Sequence, residues 1–228
     1  MVGSGDVGAT WALIAAAGSG ERLGMDRPKA FAALGGRPLL AESIDRLDRS
    51  EVVDAIVVAA PPGWEEPSIL LAEELAASKV VACVTGGATR AESVAAALAE
   101  VPEAALVIMV HDAARPLLDE AHLERLLVPL AEGYDGAVPV VPVADTLKRV
   151  RDGAVVETVD REGLVAAQTP QAFLAATLRR AFAGDVDGAT DCAGLVERAG
   201  GRVAVVEGDA RLLKVTTPAD LALVESWL

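Results

Sequence analysis

The chain has 228 residues, 52% of them hydrophobic but only 3% aromatic, and a formal net charge of −14. That length suits one α/β domain over residues 1–228 with a large core of Ala, Val and Leu, and the acidic balance argues against a nucleic-acid polymer as partner, which needs a basic face. No uninterrupted apolar run reaches the ~18 residues of a membrane span, so no membrane partner is expected.

The first residues, MVGSGDVGAT, lack a basic start and an apolar stretch and read as a short loose tail. Trp11–Ala17 is then a predicted strand, and Gly18 and Gly20 permit a turn whose free N–H groups favour an anion. Small residues at Ala16 and Ala17 let a ligand approach the main chain closely. Arg22 and Lys29 follow as cations, and the order as a whole describes a nucleotide-triphosphate pocket. The glycines are not a dinucleotide fingerprint, because Leu23 stands where that motif needs its third glycine. A plain structural turn is the bland alternative, weakened by the two cations.

Strands are predicted at Val53–Ala60, Val80–Thr85, Ala105–His111 and Ala137–Val143, several of them apolar enough to be buried on both faces. Helical spacing runs through Leu39–Leu47, Glu65–Ala77, Ala91–Ala99 and Glu120–Ala131. The alternation predicts a Rossmann-like, mainly parallel sheet with helices on both faces, and ligands at the carboxyl ends of its strands. Candidate site segments fall at those ends. In Thr85-Gly-Gly-Ala-Thr-Arg90-Ala-Glu-Ser93, Gly86 and Gly87 could lie against a flat base whose edge Ser93 could bond; read alone, the segment is better taken as a capped helix start. In His111-Asp-Ala-Ala-Arg115-Pro116, Asp112 could bind a hydroxyl or a phosphate-held metal and Arg115 a phosphate, or the two could simply pair and order the loop. His111 reads as structural, and His122 as a helix residue without a partner.

Beyond Val143 the rhythm changes. Thr146–Val150 and Ala154–Val159 flank Asp152-Gly153, a strong hairpin signal. It either folds back on its own domain or projects as an arm, at about 144–162, whose Leu147, Val155 and Val156 need a partner. A loop at Gln168–Gln171, helices near Ala172–Ala183 and Asp191–Ala199, a strand at Arg202–Glu207 and a helix opened by Thr217-Pro218 complete the reading. Lysine occurs only at positions 29, 79, 148 and 214; all but Lys79, which reads as surface, sit among candidate site residues. In so acidic a chain, cations must be gathered locally to hold a triphosphate. Cys83 and Cys192 are too isolated for a disulfide framework or a zinc site, which fits a reducing cytoplasm.

AAAGSGERL…PK, GGATRAES, VHDAARP, ADTLKR, TVDREGL, QTPQ, TDCAGLVE and LKVTTPADL, in this order over nearly the whole chain, resemble the 2-C-methyl-D-erythritol 4-phosphate cytidylyltransferases of the non-mevalonate isoprenoid pathway. The length resembles the single-function form, with no fused second enzyme expected. The resemblance implies transfer of a cytidylyl group from CTP to methylerythritol phosphate, release of pyrophosphate, Mg²⁺ carried by the CTP phosphates with no protein metal site, and a homodimer joined through the β-arm. It implies that Arg22 and Lys29 stabilise charge at the α-phosphorus, aided by Lys214. Ala16, Ala17, Gly18, Gly20, Gly86, Arg90, Ser93 and Ala113 would serve the nucleotide, and Asp112, Arg115, Thr146, Arg161, Thr169 and Lys214 the acceptor, with Thr146 and Arg161 reaching over from a partner's arm. Ala15, Ala30, Cys192 and Leu212-Leu213 depart from the family pattern, the last two near the site. A cytidylyltransferase for another polyol phosphate, such as ribitol 5-phosphate, and a non-catalytic nucleotide sensor are the competing readings.

Overall fold

The computed structural model describes residues 9–228 apart from 19, 21, 22 and 25, so Arg22 lies outside the described residues. Strand β1 (Thr10–Ala15) leads through the short pair β2 (Ala33–Leu34) and β3 (Arg37–Pro38) into α1 (Leu39–Asp48). Strict alternation follows: β4 (Ala55–Ala60), α2 (Glu65–Glu74), β5 (Val80–Thr85), α3 (Arg90–Leu98), β6 (Val107–Asp112), α4 (Glu120–Ala131) and β7 (Gly136–Pro142). The second half holds β8 (Leu147–Arg151), β9 (Ala154–Val159), β10 (Val165–Ala167), β11 (Gln171–Leu174), α5 (Ala175–Phe182), α6 (Cys192–Arg198), β12 (Val203–Glu207) and α7 (Pro218–Glu225).

Strands β5, β4, β1 and β6 lie side by side and parallel. Every residue of β4 is buried, as expected where helices cover both faces of a sheet. The period-2 alternation of β1 divides its side chains between two cores. Leu13 joins Val57 and Ile108 beneath α3, α5 and α6, through Val94, Leu178 and Val196; Ala12 and Ile14 join Ile56 and Val58 beneath α1 and α4, through Leu40, Ile44, Leu123 and Leu126. A smaller cluster of Leu34, Leu39, Val215 and Val224 seats α7 against the β2–β3 corner. Thr217 and Asp220 form a capping box with Pro218 in the first turn of α7, so this helix starts where its sequence signals it.

Two strands of the main sheet are absent from the sequence reading: β10, which pairs antiparallel with β7, and β11. Gln171, expected to end a loop, and residues 172–174, expected within a helix, form β11, which runs antiparallel between β6 and β7. Helix α5 begins only at Ala175. The first three residues of β11 are buried, so no alternation betrays the strand, and Phe173 closes onto β7 at Gly136, where a Cβ would fall 2.5 Å from its ring. Tertiary packing decides the conformation here against the helical spacing.

The hairpin is present as expected. Asp152 and Gly153 have φ of 49° and 78°, the positive values of a type I′ turn, whose twist matches the flanking strands. β8 and β9 form a two-stranded sheet of their own, apart from the main sheet. Val150, Val155 and Val156 are more than half exposed, while Leu147 is half-buried, which is the projecting arrangement.

Candidate active site

Main-chain segments leaving the carboxyl ends of β1, β4, β5 and β6 converge on a cleft of about 570 Å³. Ala15 through Gly18 form one wall, Pro62 and Gly86 through Arg90 the next, and Asp112 through Ala114 the floor, with Lys29 and Lys214 reaching in. Of the residues expected to serve the nucleotide, Ala16, Ala17, Gly18, Gly86, Arg90, Ser93 and Ala113 all line it. Two glycines set its shape. A Cβ on Gly86 would lie 2.4 Å from that of Ala17 and 3.1 Å from the Ala60 carbonyl, so two strand ends close on each other only because position 86 has no side chain. Gly20 is not a lining residue. With φ of +75° it passes so near Lys29 that a Cβ would sit 2.6 Å from the lysine Cβ, and its part is to let the loop bring Lys29 in.

Helix α3 opens at this cleft. Thr89 accepts from the Glu92 N–H and closes a capping box, as the bland reading proposes. The Ser93 hydroxyl accepts from the Gly87 N–H at 3.1 Å and donates to the Thr89 carbonyl at 2.9 Å, so it shapes the glycine turn as well as facing the cleft.

The chemistry concentrates on Asp112. Its Oδ1 accepts from Arg90 Nε at 2.7 Å and its Oδ2 from Lys214 Nζ at 2.7 Å, while Arg115 Nε stands 3.9 Å from Oδ2. Burial pushes the Asp112 carboxyl up, but Arg90 and Lys214 outweigh it and hold the group well below the usual carboxylate range. Arg90 also donates from Nη1 to Cys192 Sγ at 3.4 Å, and its buried Nη2 has no partner among the described residues. Arg115 donates from Nη1 to the Leu212 carbonyl and so ties this floor to the segment that carries Lys214. Leu212 itself is buried in the core, so only its main chain serves the site.

Several expected residues lie elsewhere. Thr169 stands behind Asp112, its hydroxyl accepting the Asp112 N–H at 3.0 Å, and neither it nor Arg115 is a lining residue. Thr146 and Arg161 lie at the base of the hairpin, exposed and outside the cleft; Arg161 donates to the carbonyls of Val143 and Ala144. Lys148 is spent on Thr158 across the hairpin, and Lys79 donates to the Ser50 carbonyl. His122 is not partnerless: it sits between Asp119, whose N–H meets its Nδ1 at 3.1 Å, and Asp209, 3.5 Å from its Nε2. Residues such as Pro62, Ala88 and Ala114 carry no chemical signal in sequence; only the rule that strand ends form the ligand crevice points to them.

Residues 10–228 match the family described as 2-C-methyl-D-erythritol 4-phosphate cytidylyltransferase. A relative of that name from Nocardia farcinica is 47% identical over 222 residues, 97% of this chain and 94% of its own. One from Neisseria gonorrhoeae is 42% identical over 223 residues, covering 95% and 96%. The crystal structure of the enzyme of that name from Thermus thermophilus superposes with a TM-score of 0.77 at 36% identity, over 96% of this chain and 98% of that one. That from Francisella tularensis superposes with 0.83 at 29% identity, over 96% and 100%. By sequence, fold and the composition of its cleft, the chain belongs to the 2-C-methyl-D-erythritol 4-phosphate cytidylyltransferase family of nucleotidyltransferases.

Proposed function

We propose that the cleft transfers a cytidylyl group from CTP to 2-C-methyl-D-erythritol 4-phosphate, releasing pyrophosphate. The observation that carries this reading is the convergence of Lys29, Arg90 and Lys214 on one glycine- and alanine-walled cleft around Asp112. The attacking group is a phosphate monoester already ionised at neutral pH, so no general base is needed. The obstacle is repulsion between two anions with charge growing at the α-phosphorus, and cations held in place overcome it. Arg22 and Lys29 take that role in this reading. Lys214 links the two halves of the site, since the same ammonium group that pairs with Asp112 faces the cleft. The buried Nη2 of Arg90 supplies a donor for a ligand oxygen.

Ala16, Ala17, Gly18, Gly86, Ser93 and Ala113 hold the nucleotide, with main-chain groups reading one ring. Asp112, Arg115 and Thr169 order the acceptor's side. Among the described residues no group of three or more His, Cys, Asp or Glu could cage a metal, and both oxygens of Asp112 are engaged by cations. That donor set fits a Mg²⁺ ion that enters on the triphosphate and neutralises part of its charge. The working unit in this reading is a cytoplasmic homodimer of single-domain chains, in which Thr146 and Arg161 from one arm complete the acceptor site of the other subunit. No helix among the described residues is long and apolar enough to cross a membrane.

The test is pyrophosphate release from CTP and Mg²⁺ with methylerythritol phosphate as acceptor, run beside ribitol 5-phosphate. Release with methylerythritol phosphate alone supports the reading. Release only with ribitol 5-phosphate redirects it to another polyol phosphate, and CTP binding without release from either acceptor leaves a nucleotide sensor.

A further inference from the structure

His111 is fully buried on β6 beside Asp112, and the chemistry proposed above does not use it. Its Nε2 lies 3.1 Å from the Arg115 carbonyl oxygen and its Nδ1 3.4 Å from the Thr169 hydroxyl, which accepts the Asp112 N–H at 3.0 Å. Burial pushes the imidazole down to about 3, so it is neutral and carries one N–H. A carbonyl can only accept, so that hydrogen is on Nε2 and Nδ1 is a bare acceptor. The Thr169 hydroxyl must then donate to Nδ1, which turns its lone pair toward the Asp112 N–H. The polarity of the whole chain follows from one tautomer.

We propose that His111 is a positioning residue for the acceptor side of the site, clamping the 111–115 loop to Thr169 so that Asp112 keeps its place between Arg90 and Lys214. The nearby backbone bonds do not replace this clamp. Ala113 N–H to the Ala15 carbonyl and Arg115 N–H to the Asp112 carbonyl fix the loop against β1 and against itself, whereas the Thr169 and His111 side chains join it to the segment entering β11. His111 is not among the residues that line the cleft, so its effect reaches substrate through Asp112 and the Arg115 backbone. The proposal rests on the cytidylyl-transfer reading for its kinetic half, and on the tautomer alone for its structural half.

Three measurements test it. Nitrogen-15 NMR of the histidines in the wild-type protein should show His111 neutral, protonated on Nε2 and bare on Nδ1, at neutral pH; an Nδ1–H tautomer or an imidazolium overturns the proposal whatever the enzyme transfers. His111→Phe, similar in size but without polar atoms, should lower kcat/KM for the acceptor by about tenfold or more while the Kd for CTP stays within about twofold. His111→Asn, whose amide oxygen can stand where Nδ1 does, should recover most of that loss; if His111→Phe does not fold, Thr169→Val, which cuts the same clamp, should show the acceptor loss in its place. Combined with Thr169→Val, the His111→Phe loss should not add to the loss from Thr169→Val alone, because both remove one clamp. Unchanged acceptor kinetics in His111→Phe, a His111→Asn variant as impaired as His111→Phe, or fully additive losses overturn the proposal. A wild-type protein that transfers no cytidylyl group sinks the functional reading instead, and the NMR result still decides the tautomer.

Discussion

The cleft and the β8–β9 hairpin are built on opposite plans. In the cleft, charged groups are withdrawn from water and over-connected: the Asp112 side chain is 8% exposed and meets two cations at 2.7 Å. In the hairpin, Arg149 and Glu157 pair at 61% and 51% exposure and apolar side chains face solvent. Exposed pairs of that kind contribute little to stability because water screens them, whereas the buried cluster is held by geometry that no single residue sets. A rigid pocket suits a reaction limited by electrostatic positioning. A hairpin carrying uncovered Val150, Val155 and Val156 suits docking on another surface.

Substitutions should therefore act through chemistry in the cleft and through assembly in the arm. Lys29→Ala should show the largest effect, a fall in turnover on the order of 10²-fold with a smaller change in CTP affinity, since its cation matters most as charge grows at the α-phosphorus. Single-turnover kinetics beside a CTP titration will tell, and near-normal turnover removes Lys29 from its role. Gly86→Ala forces a Cβ to within 2.4 Å of Ala17. It should weaken CTP binding by about 1–3 kcal/mol, the size of a typical overpacking penalty. Binding calorimetry showing unaltered CTP affinity would mean that the base lies elsewhere.

Arg161→Ala should impair acceptor use, by less than Lys29→Ala lowers turnover, while leaving CTP binding intact. Mixed with inactive Lys29→Ala subunits, it should recover part of the activity, because a hybrid dimer has one site with both residues. Subunit exchange without any recovery breaks the contrast between a self-contained cleft and a shared arm. The smallest effect is on acid stability. His111 is held neutral, well below its ordinary pKa, so the unfolded chain binds a proton that the native one refuses; stability falls as pH drops from about 6.5 toward about 3. Between about pH 6.5 and 5 the Tm of the wild type should decline more steeply than that of His111→Phe, a slope that thermal melts across a buffer series will read.

Local signals marked the β–α alternation, the Asp152-Gly153 turn and the start of α7, because each rests on backbone preferences or on apolar spacing within a few residues. Those signals could not reveal β11. A strand buried between two others loses the alternation by which strands are recognised, and its identity comes from β6 and β7. The cleft was legible as a set of residue types: small residues at Ala16, Ala17 and Gly86, and cations at Lys29 and Lys214. What only the tertiary structure decided is who meets whom. Arg90, Asp112, Cys192 and Lys214 are separated by up to 102 positions from the partners they bond and share one cluster, while Thr169 and His111 stand behind the acid they orient. Spacing along a chain carries periodicity and turn chemistry; it carries no distance between loops that the sheet brings together from different strand ends.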